Sequence, residues 1–393
     1  MKGVLPKLPG MQASTALIKT RSNFAAVFRA ESSLLLGIAS AAFFLCFGRI
    51  ALDATDPIAV AGVFAWLFVG VLWSAISVVR HADCLALKVG EPYGTLILTL
   101  SAITIEVIMI SAAMLHGANN PTLARDMMFA VVMIALNGLV GLALLLGALR
   151  HREQYYNIQG TNAYLNTIML LTVLGLVLPN FTTSTAGPRF SSVQEVFLIC
   201  ACFILYGIFL VTQTRRHRQF FMEMPRAGGA ANAKDDHGHE LEVRSTGFHV
   251  VMLILHLLVV VVLAEKFAIP LDSSIERYGM PQALGGAIVA ALVLAPEALT
   301  GIQAAMRNQL QRSVNVLHGS VLASIGLTIP AVLMIGFITH RPIALGLQGA
   351  SFPLLLLTLA ASIVTFGSGR TNVLQGCIHL LLFAIFLLLI FSP

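Results

Sequence analysis

The chain has 393 residues, 57% of them hydrophobic and only 11% charged, against the roughly 25% charged residues of soluble domains. A composition this apolar places the chain in a membrane and excludes a soluble enzyme. The formal net charge of +6, spread over short loops, reads as membrane topology rather than a nucleic-acid-binding patch.

Residues 1–32 carry Lys2, Lys7, Lys19, Arg21 and Arg29 but no apolar stretch long enough for a signal peptide, so they are expected to form a retained cytoplasmic tail. Apolar windows between polar breaks then predict about eleven spans, near 33–52, 57–79, 94–116, 127–149, 162–179, 193–213, 247–264, 281–303, 317–339, 349–366 and 373–391. Each approaches the ~20 residues that cross a bilayer as helix. Alternating segments of about ten residues, the mark of an outer-membrane barrel, are not seen, so the predicted class is all-α. Cys46, Cys84, Cys200, Cys202 and Cys377 are odd in number and mostly inside apolar runs, which makes them packing residues rather than a disulfide framework.

With the basic tail on the cytoplasmic side, the loops on that side hold Arg80, Lys88, Arg150, Arg152, Arg215, Arg216, Arg218, Arg307, Arg312 and Arg370. The opposite loops hold little more than Arg125, Arg189, Lys266, Arg277 and Arg341. Positive charge thus marks one side in register with the span count, which predicts a cytoplasmic N-terminus and an external C-terminus.

The longest polar interval, 214–246, is expected to be a cytoplasmic linker. Setting aside an extra first helix at 33–56 leaves five spans in 57–213 and five in 247–393. An odd number of spans per half forces the halves to insert with opposite orientation, the inverted-repeat plan of many secondary transporters.

Most acidic residues lie in loops or at span ends, but Glu106 and Glu297 fall inside apolar spans. Each occupies the second span of its half. A charge at mid-bilayer costs about 2.5 to 3.5 kcal/mol on insertion scales, so such residues are rare and face a cavity or a partner. A lone membrane carboxylate can stay protonated as an interhelical hydrogen-bond donor; two at matching positions are harder to assign to that role. Nearby polar groups are Thr99, Thr104, Thr300, the stripe Ser320, Ser324 and Thr328, and the pair Asn137 and Gly141. Small polar residues also serve as helix–helix glue, and both roles stand open for each. Pro296 and Pro330 interrupt their spans; each frees a carbonyl one turn earlier, either a packing kink or a cation ligand.

Two carboxylates brought together away from water cannot both stay ionised at low cost. Protons relieve them, and so does a cation suited to hard oxygen ligands such as Ca2+. Protons and cation then exclude each other, and a site that opens to alternate sides couples their opposite movements. The expected activity is cation/proton exchange, with Glu106 and Glu297 binding the metal or the protons. Thr104, Asn137, Thr300, Ser320 and Ser324 are the supporting candidates.

At these residues the sequence resembles the calcium/cation antiporter superfamily, and most closely its bacterial Cha-type calcium (sodium, potassium)/proton members. The matching stretches are GEPYGTLILTLSAITIEV at 90–107 and APEALTGIQAAMRNQLQRSVNVLHGSVLASIGLTIP at 295–330. The resemblance implies one extra helix plus two inverted five-helix repeats, an inner-membrane location, and cation coordination by the paired glutamates. Many proton-exchanging relatives read Gly-Asn-Ala-x-Glu, with His often following the second copy. Here Glu106 follows Ala102-Ile103-Thr104-Ile105, and Glu297 stands between Pro296 and Ala298. The departure keeps Na+ or K+ beside Ca2+ as transported ion. Gly319 and Ser320 match the family's Gly-Ser.

No cofactor is expected beyond the transported ions. Expected partners are inorganic cations, protons and membrane lipid, with self-association left open and no nucleic acid. The segment Asp235, Asp236, His237, His239, Glu240 and Glu242 reads as a solvated linker, with a cation sensor as the alternative. His256 and His379, each inside a span, read as packing residues or proton relays. A membrane enzyme is the rival from another class, but zinc-peptidase, diphosphate-binding and Walker-type motifs are missing; a passive channel is the second rival.

Overall fold

The computed structural model describes residues 31–52, 56–90, 93–116, 121–223 and 244–392. Among these, eleven helical segments account for nearly all regular structure. They are α1 (Ser32–Leu52), α2 (Pro57–Val89), α3 (Tyr93–His116), α4 (Leu123–His151), α5 (Ile158–Asn180), α6 (Ser192–Arg216), α7 (Thr246–Arg277), α8 (Ala283–Met306), α9 (Leu310–Thr339), α10 (Ser351–Thr365) and α11 (Val373–Phe391). Nine are long and apolar enough to cross a membrane by length and composition, and α1 and α10 contribute shorter apolar stretches.

Local chemistry fixes the helix ends. Asp56 accepts a hydrogen bond from the Ala59 amide (2.9 Å) while Pro57 opens the first turn of α2, an N-terminus in which proline loses no needed donor. Asn157 and Ser245 cap α5 and α7 through side-chain oxygens, and Asn372 with Gln375 closes a capping box on α11. Gly90, at φ 71°, ends α2.

Two spans exceed their apolar windows. The expected span at 57–79 continues as helix to Val89, and the one at 247–264 continues to Arg277. At 1.5 Å per residue, 33 and 32 residues reach about 50 Å, beyond the ~30 Å hydrocarbon layer. An apolar window measures what lipid covers, whereas the helix continues wherever a protein face remains to be packed. His81, Ala82 and Leu85 are buried at helical spacing past the end of the window.

Positions 214–246, expected as linker throughout, also begin as structure: α6 runs to Arg216 and a short 3-10 turn follows at Arg218–Phe221. Residues 224–243, including the Asp235–Glu242 cluster, lie outside the described residues, as does the tail before Glu31.

The two halves match helix for helix. Each opens on its longest helix, α2 or α7, and continues with a 24-residue helix, α3 or α8. The third helix of each, α4 or α9, carries a π-helical turn, at Met133–Leu139 and Ser324–Thr328. These third helices form the centre: 72% and 67% of their apolar windows are buried, against 22% for α6.

Loop contacts sort into two sets, as eleven alternating spans require. At one end Gln154–Tyr155 of the α4–α5 connection pairs antiparallel with Arg370–Thr371 of the α10–α11 connection. The Gln154 amide there also donates to the Ala305 carbonyl (2.7 Å), where α8 turns into α9. At the other end the Ala344 amide donates to Pro121 and the Gly346 amide to Pro188, which joins the α3–α4, α5–α6 and α9–α10 connections.

Candidate functional site

α3 and α8 pack against each other near the middle of the bundle, and each brings one carboxylate inward. Glu106 is 2% exposed. Its Oε2 accepts a hydrogen bond from the Ser324 hydroxyl at 2.6 Å, and its Oε1 is buried with no partner. Glu297, half-buried and next to Pro296, likewise has a buried Oε2 without a partner. The two side chains lie within electrostatic reach of each other. A buried polar atom left unpaired costs about 1 to 3 kcal/mol, so two such oxygens on neighbouring carboxylates mark a place where a proton or cation fits.

The π-turns aim the supporting groups. An i→i+5 turn inserts one residue into the helix, disturbs its ladder and recurs at functional sites. Ser324 opens the π-turn of α9, which packs on α3, the helix of Glu106. The π-turn of α4 packs on α8, the helix of Glu297. The second half therefore lends its third helix to the carboxylate of the first, while the third helix of the first half packs on the helix that carries Glu297. Asn137 stands 31 positions after Glu106, and Thr328 stands 31 positions after Glu297, so they are counterparts in the repeat. Thr328 is fully buried beside Glu106 with its hydroxyl unpaired.

Asn137, also fully buried, belongs to a polar chain across α4, α10 and α11. Its amide donates to the Thr358 hydroxyl (2.8 Å), and its oxygen accepts from His379 Nδ1 (3.0 Å). That leaves His379 Nε2 as acceptor for the Thr365 hydroxyl at 3.1 Å. Every described partner of Asn137 is thus a group other than the two glutamates. Ser320 is half-buried one turn before Ser324.

Two sequence candidates are not brought to the pair. Thr104 is exposed, and its hydroxyl donates to the Leu100 carbonyl of its own helix at 2.6 Å. Two residues along a helix turn about 200°, so Thr104 faces away from the side that buries Glu106. Thr300 is also exposed and donates to the Pro296 carbonyl at 3.2 Å.

Groups that the sequence reading passed over also appear. His318 is fully buried on α9, with Nδ1 bonded to the Val314 carbonyl (3.2 Å) and Nε2 unpartnered; its signal is a histidine inside an apolar run directly before Gly319. Asp83, on the extension of α2, lies within electrostatic reach of Glu297 and Arg312. Only the helical continuation past residue 79 could have revealed it.

The oxygens offered to a cation are the carboxylates of Glu106 and Glu297 and the hydroxyls of Ser324 and Thr328, a hard donor set suited to Ca2+ or an alkali ion rather than a soft metal.

The family model described as sodium/calcium exchanger protein matches residues 59–215 and 248–392, one block in each half. A putative ionic transporter, y4hA of Sinorhizobium fredii, is 42% identical over 326 residues, 82% of this chain and 87% of that protein. The sodium-potassium/proton antiporter ChaA of Escherichia coli is 36% identical over 362 residues, 92% of this chain and 96% of that one. Among solved structures, native YfkE superimposes with a TM-score of 0.69 at 17% identity, covering 92% of this chain and all of that one. The H+/Ca2+ exchanger CAX reaches 0.63 at 15% identity, covering 92% and 88%. Two matched blocks, one on each half and each holding one of the two intramembrane glutamates, place the chain in the sodium/calcium exchanger protein family.

Proposed function

We propose that the protein is a secondary transporter that exchanges Ca2+ for protons by alternating access, with Glu106 and Glu297 as the shared binding groups. The observation that carries this reading is the pair of buried, unpartnered carboxylate oxygens on α3 and α8. Two negative charges match one divalent ion or two protons, so occupation by either expels the other. The doubly ionised empty site is unfavourable in a low-dielectric core, which discourages reorientation without cargo and ties the two fluxes together.

Exchange of Na+ or K+ for protons is the second reading. It is favoured by the few neutral oxygens around the carboxylates, since Thr104 and Thr300 are exposed, and by the 36% identity to a protein named a sodium-potassium/proton antiporter. We place the protein in the bacterial inner membrane with the N-terminus cytoplasmic, on the strength of the basic loops at the α6/α7 end.

Everted membrane vesicles with an acidified lumen test the reading. Addition of Ca2+, Na+ or K+ in parallel should alkalinise the lumen with the transported ion and identify it. Cation uptake with no proton movement would instead indicate a channel, and silence with all three ions would remove the proposal.

A further inference from the structure

Away from the carboxylate pair, the start of α1, the far end of α2 and the first turns of α7 meet around a second buried cluster. Glu31, His81 and His256 are 7%, 1% and 0% exposed. One ligand atom from each lies within 4.8 Å of the others. His249, 3% exposed, backs the group, with its Nδ1 at 3.0 Å from His81 Nδ1.

Hydrogen bonds fix the protons. The Arg244 amide donates to His249 Nε2 (3.1 Å), so the His249 proton sits on Nδ1 and is donated to His81 Nδ1. The His81 proton is then on Nε2, donated to Glu31 Oε2 at 3.2 Å, and the Arg80 guanidinium, 3.2 Å from the same nitrogen, donates to Glu31 rather than to the ring. His256 donates from Nδ1 to its own-helix carbonyl at Met252 (2.9 Å), which leaves Nε2 as a lone pair facing the Ser33 hydroxyl at 3.2 Å. A histidine whose other nitrogen is held by a carbonyl is oriented as metal-ligating histidines are. Arg80 completes the ion-free arrangement by donating to Glu31 Oε2 at 2.8 Å.

We infer that Glu31, His81 and His256 form a binding site for a transition-metal divalent cation of the Zn2+ class, separate from the transport site. Imidazole nitrogens with one carboxylate suit zinc, which takes nitrogen at about 2.0–2.1 Å with three protein ligands and a water; Ca2+ and Mg2+ prefer all-oxygen sets. Binding balances without loss of a proton. The metal takes the His81 Nε2 lone pair after both rings shift tautomer, so that His81 Nδ1 donates to His249 Nδ1 and the His249 proton moves to Nε2. The Arg244 amide is displaced from His249, and Arg80, whose side chain is 36% exposed, leaves Glu31 for solvent. An ion there ties α1 to α2 and α7, the opening helices of the two halves.

The test is titration of the full chain in lipid nanodiscs with Zn2+ by calorimetry and with Co2+ by absorption spectroscopy. One ion per chain should bind, with a Co2+ spectrum of low-coordinate nitrogen and oxygen ligation. Glu106→Gln and Glu297→Gln should retain this binding. Glu31→Gln, His81→Gln and His256→Gln should lose it, His249→Phe should weaken it about 10- to 100-fold, and Arg80→Gln should tighten it by removing the competing cation. An octahedral all-oxygen Co2+ spectrum in the wild type, no stoichiometric Zn2+ site, or a site lost with the transport carboxylates but kept in His81→Gln, would each overturn the proposal. The wild-type spectrum decides the matter even where a variant fails to fold.

Discussion

At the scale of single residues, charge within an apolar run is the strongest signal this sequence contains, because the cost of burying it means the residue must have a use or a partner. Glu106 and Glu297 were therefore legible. Replacement of either by Gln should reduce cation-driven proton movement in everted vesicles to background while the protein still reaches the membrane; robust exchange in either variant would remove that residue from the mechanism. Ser324 donates to Glu106 across the two halves. A hydrogen bond to a charged group is worth about 1.5 to 3 kcal/mol, so Ser324→Ala should raise the half-saturating cation concentration roughly tenfold or more, read from the same vesicle assay. The exposure of Thr104 was within reach of helical-wheel geometry, since two positions cannot share a face with the next inward residue. The exposure of Thr300, one turn from Glu297, was not, because it depends on which neighbours cover α8.

At the scale of elements, the sequence reports where helices lie better than how far they run or how closely they cross. Hydropathy located every span, yet it missed the extensions of α2 and α7, whose ends carry Arg80, His81 and Asp83 on the one side and Glu276 and Arg277 on the other. The π-turns left no periodic trace, because one extra residue in a uniformly apolar helix changes nothing a hydropathy window can detect. Close crossings follow from glycine. A Cβ on Gly376 would stand 2.6 Å from the Leu145 amide and 3.0 Å from the Gly141 carbonyl, both backbone atoms that cannot yield. Small residues at such crossings let membrane helices approach. Gly376→Ala should push α11 off α4 and destabilise the protein by about 1 to 3 kcal/mol, seen as a lower melting temperature in detergent. Gly62→Ala, with nothing within 4 Å, should leave that temperature unchanged or raised; equal losses in both would contradict the packing account.

At the scale of the molecule, the odd number of spans per half and the asymmetry of basic loops made the inverted architecture readable in advance. What they could not convey is that the halves are interleaved. α9 of the second half serves Glu106 of the first, and α2 packs along α7. Neither half holds a complete site. Severing the chain between Glu223 and Arg244 and co-expressing the two pieces should restore exchange that neither piece shows alone; activity from one piece would refute the shared site. The proposed eleven-span topology predicts termini on opposite sides. A fluorescent reporter that matures only in the cytoplasm should light up at the N-terminus and stay dark at the C-terminus, whereas fluorescence at both ends would mean a miscounted span.

The widened turn at Met133–Leu139 amounts to a stored insertion. Removing one amino acid there would let α4 relax to uniform winding while the segment beyond kept its facing, because the wide turn had already absorbed the roughly 100° of the residue removed. Leu144, Gly147 and Ala148 would stay turned inward. A single-codon deletion in this heptapeptide should therefore cost less stability than one early in Val140–His151, where no wide turn absorbs the loss and the residues beyond would rotate by about 100°.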